Sequence, residues 1–133
     1  MSEAKSFRET LAQNTFVHVA FGFLAMGAWA VFANRAHPLP EALQAGLVQG
    51  LISGTLTLFL KKFLEWFNAR LKGAAALIAP PLVTATAIGA ILVTAHTLAG
   101  TPEILATIAV PFTVSTSYAI LYNLRLWRAA HGR

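Results

Sequence analysis

The chain contains no cysteine and no aspartate, and only 11% of its residues are charged. Without cysteine there is neither a disulfide framework nor a thiolate metal site, and sulfur says nothing about the redox compartment. Without aspartate the acids reduce to Glu3, Glu9, Glu41, Glu65 and Glu103, all of which fall outside the apolar runs. Proton coupling through a carboxyl inside the bilayer is therefore not expected, because no acid stands there. No paired carboxylates, no nucleophile next to a base and no phosphate-binding glycine loop occur, so no enzyme is expected. An average soluble domain carries about 25% charged residues. The residues here are 56% hydrophobic, and their few charges cluster at segment ends. That is the composition of a membrane protein.

The net charge of +5 raises nucleic acid as a partner. The basic residues flank apolar segments instead of lining one helix face, which fits membrane orientation and not a phosphate-binding surface. The expected partners are therefore the lipid bilayer and either further copies of the chain or a partner membrane subunit, with no nucleic acid.

Four apolar runs are long enough to cross a hydrocarbon core of about 30 Å. The spacing predicts spans over about 15–33, 41–60, 76–99 and 103–124 within one membrane domain, 1–133. The polar segment 1–14 pairs Phe7 with Leu11 at helical spacing, as a short surface helix would. Val31-Phe32-Ala33 fits a signal-peptide cleavage site. The first run, however, exceeds the usual apolar region of about 7–15 residues and leads into another hydrophobic span, so it reads as a retained helix.

Pro40 and Glu41 suit the start of the second helix. Its apolar part closes on Lys61 and Lys62, and an extension over about 61–72, rich in aromatics and cations, is expected to project into the cytoplasm and stop at Gly73. Pro80-Pro81 should kink the third helix or open it, freeing the carbonyls of Ala76 and Leu77. Gly100-Thr101-Pro102-Glu103 reads as a stop, a cap and a new start, which makes the third and fourth helices an antiparallel hairpin. Pro111 interrupts the fourth.

Lys and Arg number two in the amino terminus, four between the second and third spans and three in the carboxyl tail, against Arg35 alone on the other side. The bias places both termini in the cytoplasm of a cell with an inner membrane. The fold class is an all-α integral membrane protein, a four-transmembrane-helix bundle.

The most specific motif is a ladder of Gly46, Gly50 and Gly54, one per helical turn. Such a face lets another helix backbone approach closely, either within one protomer or across a dimer. Gly22 on the first helix and Gly89 on the third are candidate partners for it. Gln49, Ser53 and Thr57 form a polar stripe beside the ladder, and Thr113 with Ser117 forms another on the fourth helix. These residues line a solute path or bond helices together. Gln49 is the most demanding of them, because an amide near mid-membrane needs a partner or water. His18, the ionisable side chain well inside a span, joins the candidate path. His18 and His96 belong to opposite halves of the membrane and His37 and His131 to opposite aqueous phases; His37 and His96 could meet on the outer side, but two ligands without a carboxylate make a poor zinc site, so no metal and no cofactor are expected.

Two functional readings follow. The first is a passive or weakly coupled passage for a small or lipid-like solute, built by a homo-oligomer. The second is an accessory or assembly subunit of a larger membrane complex.

Overall fold

A computed structural model describes residues 2–132, except the side chains of Leu11 and Ala12. Met1, Arg133 and the Leu11 half of the expected surface pair lie outside the described residues. Four helices follow one another: α1 (Ser2–Ala33), α2 (Leu39–Asn68), α3 (Gly73–Leu98) and α4 (Ile104–His131). All four are long and apolar enough to span a membrane, so the chain is built as a multi-pass membrane protein.

The helix ends depart from the sequence expectation in physically simple ways. α1 begins at Ser2, so the polar amino terminus continues the first helix instead of forming a separate one. α2 ends at Asn68 and not near Lys72, and Gly73 does not stop it. Gly73 takes a positive φ of 61° and opens α3 instead. α3 runs through Pro80 and Pro81 as one helix. Gly100 ends α3 as expected, with φ of 70°. The N–H of Thr101 returns to the His96 carbonyl at 2.9 Å and that of Gly100 to Thr97 at 3.2 Å. This paired pattern satisfies the last carbonyls and calls for glycine at the left-handed position. Thr101 therefore belongs to the end of α3 and does not cap α4, which begins at Ile104, two residues beyond Pro102.

Two antiparallel hairpins, α1–α2 and α3–α4, stand side by side. Their turns, residues 34–38 and 99–103, share one end of the bundle, called the hairpin end below. The termini and the 69–72 connection share the other, the terminal end. α2 is central and touches the other three helices, whereas α1 packs on α2 and meets α4 only. Burial is inverted relative to a water-soluble domain. Ala30, Ala42, Ala45, Ala76 and Ala119 are buried, while Phe16, Phe21, Leu24, Leu82, Leu105 and Leu121 point outward. Lipid tails are as apolar as leucine, so large side chains gain nothing by leaving them, and small residues inside let the backbones approach.

Candidate functional site

The glycine ladder is occupied by α1 of the same chain. A Cβ on Gly46 would lie 2.5 Å from Val31 Cγ2 and 3.0 Å from the Gly27 carbonyl oxygen, and one on Gly50 would lie 3.0 Å from the Phe23 carbonyl oxygen. Gly54 is looser, and a Cβ there would lie 3.5 Å from Val19 Cγ1. Gly22 does join this seam, where a Cβ would meet the Thr57 hydroxyl at 2.7 Å. Gly89 does not join it and faces Phe112 on α4. Gly27, which the every-fourth-residue search on α2 passes over, is the tightest backbone contact from the α1 side: its Cβ would stand 2.9 Å from the Gly46 carbonyl oxygen. Side chains of any size are excluded here, because backbone meets backbone.

Beside that seam, Gln49 is fully buried and has two partners. Its Oε1 lies 2.8 Å from His96 Nε2, and its Nε2 donates to Ser53 Oγ at 2.9 Å. His96, also fully buried, completes a chain to the Thr101 hydroxyl through Nδ1 at 2.8 Å. The amide oxygen of Gln49 only accepts, so His96 carries its proton on Nε2 and Thr101 donates to Nδ1. The demand for a partner at Gln49 is thus met from α3, and α2 is tied to the end of α3.

Asn34 performs the corresponding task between α1 and α4. Its Nδ2 donates to the Ala30 carbonyl and to Thr107 Oγ1, both at 2.8 Å, and its Oδ1 accepts from the Glu103 N–H at 2.9 Å. The backbone entry into α4 is therefore fixed by a side chain from the end of α1. Trp29 adds an indole N–H donated to the Ala106 carbonyl at 3.0 Å. Outside these, His37 Nε2 meets Glu103 Oε1 at 2.9 Å, joining the two turns.

A second buried cluster lies toward the terminal end. Pro80 and Pro81 cannot donate to the carbonyls of Ala76 and Leu77, which would otherwise be orphaned in the core. Asn123 Nδ2 donates to both carbonyls at 3.0 Å, and Asn68 Nδ2 donates to Ala76 at 3.0 Å. Asn68 Nδ2 also donates to Asn123 Oδ1 at 2.9 Å, so α2 and α4 meet on the broken ladder of α3. The freed carbonyls are taken by side-chain amides. Nearby, the Tyr122 hydroxyl donates to Glu65 at 2.5 Å, and Trp127 donates to the Gly73 carbonyl at 2.9 Å.

Of the sequence-predicted path residues, Gln49, Ser53 and Thr57 are linked by hydrogen bonds on α2, whereas Thr113, Ser117 and His18 lie apart from them. Gln49 and Ser53 are buried between α2 and α3. Thr57 turns to the α1 seam and donates to the Ser53 carbonyl. Thr113 and Ser117 lie exposed on the outside of α4, with the Thr113 hydroxyl returned to the Ala109 carbonyl. His18 is exposed on α1. Among the described residues no group of three or more His, Cys, Asp or Glu side chains gathers to hold a metal ion.

Sequence reasoning missed Asn34, Asn68 and Asn123. A signal was present for two of them: Phe67-Asn68-Ala69-Arg70-Leu71 and Tyr122-Asn123-Leu124-Arg125-Leu126 repeat the pattern aromatic, Asn, any residue, Arg, Leu at the ends of two parallel helices. Compared with protein-family models, with curated proteins and with solved structures, the chain matches none.

Proposed function

We infer that this chain is a non-catalytic helix-docking subunit of a membrane assembly, working through its outer surface and not through its own interior. One observation carries the reading. The five largest buried polar side chains that a path would need, Asn34, Gln49, Asn68, His96 and Asn123, are all bonded within the chain. Water or a solute entering there would have to displace those partners. Meanwhile the outward faces of α1 and α4 remain broad and apolar, with Leu105, Val114, Ile120 and Leu121 uncovered on α4. The same reading takes the membrane to be an inner membrane with both termini cytoplasmic, on the strength of the nine-to-one Lys and Arg bias.

A second reading rests on Thr113 and Ser117. They share an exposed face of α4, and a homo-oligomer that apposed two such faces would enclose hydroxyls between copies. In that case a small solute would pass at the seam between protomers. The mass of the detergent-solubilised protein, corrected for bound detergent and checked by native mass spectrometry, separates the two. Docking predicts a monomer or a complex with a foreign chain. A stable homo-oligomer whose solute flux in liposomes falls on Thr113→Val and Ser117→Ala substitution would favour the seam and overturn docking.

A further inference from the structure

The three tryptophans differ in what they do with the indole N–H. Trp29 gives it to Ala106 and Trp127 to Gly73, so both fasten one helix to another. Trp66 is 50% exposed, and its N–H has no acceptor among the described residues. Its ring is nevertheless held firmly. Phe63 and Phe67 stack with it at centroid distances of 6.2 and 6.1 Å. The Arg70 guanidinium carbon lies 3.9 Å from the indole centroid, and its Nη1 donates to the Trp66 carbonyl at 2.8 Å.

Lys62 and Trp66 stand one turn apart on α2, and Arg70, two residues past the helix end, folds back over Trp66, so the three form one column. All three are exposed, and the column continues into the exposed, apolar Leu58 with Phe59 and Phe63 beside it. Neither cation has a carboxylate at ion-pair distance among the described residues: Glu65, the acid of this region, is turned to Tyr122 and Lys61. The result is two unneutralised cations and a free indole donor at the terminal end of α2's exposed side, above a strip of apolar side chains. Each part has a counterpart in a phospholipid. A phosphate accepts from guanidinium, ammonium and indole N–H, and acyl chains lie along Leu58, Phe59 and Phe63.

We propose that Lys62, Trp66 and Arg70 form a headgroup site for an anionic phospholipid. The guanidinium is already immobilised on the indole, so little side-chain freedom is lost on binding. Trp29 toward the hairpin end and Trp127 on α4 at the terminal end offer no equivalent, because their indole donors are spent internally.

Native mass spectrometry of the full chain in detergent, titrated with phosphatidylglycerol or with phosphatidylcholine of the same acyl chains, tests this. The wild-type chain should retain phosphatidylglycerol preferentially. Lys62→Gln with Arg70→Gln should weaken that retention by about fivefold for each cation removed, the scale set by one basic side chain at an anionic surface. Trp66→Phe keeps the aromatic stack but removes the donor, and should weaken retention by a smaller factor. Lys5→Gln with Arg8→Gln, an equal loss of charge elsewhere, should change nothing, and excess inorganic phosphate should not displace the lipid. Equal retention of the two lipids, unchanged retention by the helical Lys62→Gln/Arg70→Gln protein, an equal effect of the Lys5→Gln/Arg8→Gln control, or displacement by free phosphate would each overturn the proposal.

Discussion

The seam between α1 and α2 and the junction of α2, α3 and α4 solve one problem by opposite means. At the first, three glycines of α2 meet the backbone of α1, and the contact is one of shape alone. At the second, amides from α2 and α4 bond carbonyls that two prolines have stripped of donors on α3. A bilayer supplies no hydrophobic force between helices, so only close packing and hydrogen bonding remain, and this chain assigns one to each half. The shape seam tolerates no added atom where backbone meets backbone, at Gly27, Gly46 and Gly50. The bonded junction tolerates changes of shape but no loss of donor.

The sharpest way to break the contrast is at the seam. Gly27→Ala would bring a methyl to 2.9 Å of the Gly46 carbonyl oxygen, and neither backbone can yield cheaply. Overpacking of this kind costs about 1–3 kcal/mol, and Gly50→Leu should exceed it by levering α1 away altogether. Gly54→Ala, at an ordinary contact of 3.5 Å, should be nearly neutral. Reversible unfolding in mixed micelles would rank the three, and equal effects at Gly27 and Gly54 would break the shape argument.

The junction should respond next. Asn123→Leu leaves two buried carbonyls with fewer donors and should cost about 1–3 kcal/mol, the range for an orphaned buried polar group. Asn68→Leu should cost less, since Asn123 still serves Ala76 and Leu77. Because the two amides also bond each other, the double variant should lose less than the sum of the singles, which a double-mutant cycle in the same micelles would measure.

Gln49→Leu comes third. It removes the partner of His96 Nε2 and should cost about 0.6–1.7 kcal/mol, from the average to the maximum measured for hydrogen bonds between membrane helices. In liposomes it should leave permeability to small solutes unchanged. The smallest effect belongs to Glu103→Gln, which alters the half-exposed contact with His37 at the turns. Exposed pairs contribute about 0–1 kcal/mol, and a shift in unfolding midpoint beyond that scale would mean that the two turns are coupled more tightly than the geometry allows.

The two modes were unequally legible in the sequence. The ladder at Gly46, Gly50 and Gly54 is periodic, and period is what a linear reading detects. Its partner was legible only in part: Gly22 is a candidate from the sequence, but Gly27 stands five residues from it, off the four-residue period, and nothing local tells a seam within one chain from a seam between two. The proline-freed carbonyls of Ala76 and Leu77 were readable from Pro80-Pro81, because the donor is lost four residues away. The residues that serve them were not. Asn123 lies 47 residues from Ala76 in the chain, and only folding brings them to 3.0 Å. Likewise Gln49 announced its need for a partner but not that His96 would supply it. The end of α2 and the start of α4 differ from the sequence reading because Gly73 and Thr101 carry stop and cap signals that α3 uses for its own first and last turns.

The missing cysteines turn the central claim into a direct measurement. In a chain with no thiol of its own, Val19→Cys and Gly54→Cys place one pair across the α1–α2 seam, where the Gly54 Cβ position lies 3.5 Å from Val19 Cγ1. After mild oxidation in the membrane, an internal seam predicts a disulfide within one chain, seen on a non-reducing gel as a monomer that has lost its free thiols. A disulfide-linked dimer as the main product would place the ladder between two copies and contradict the account.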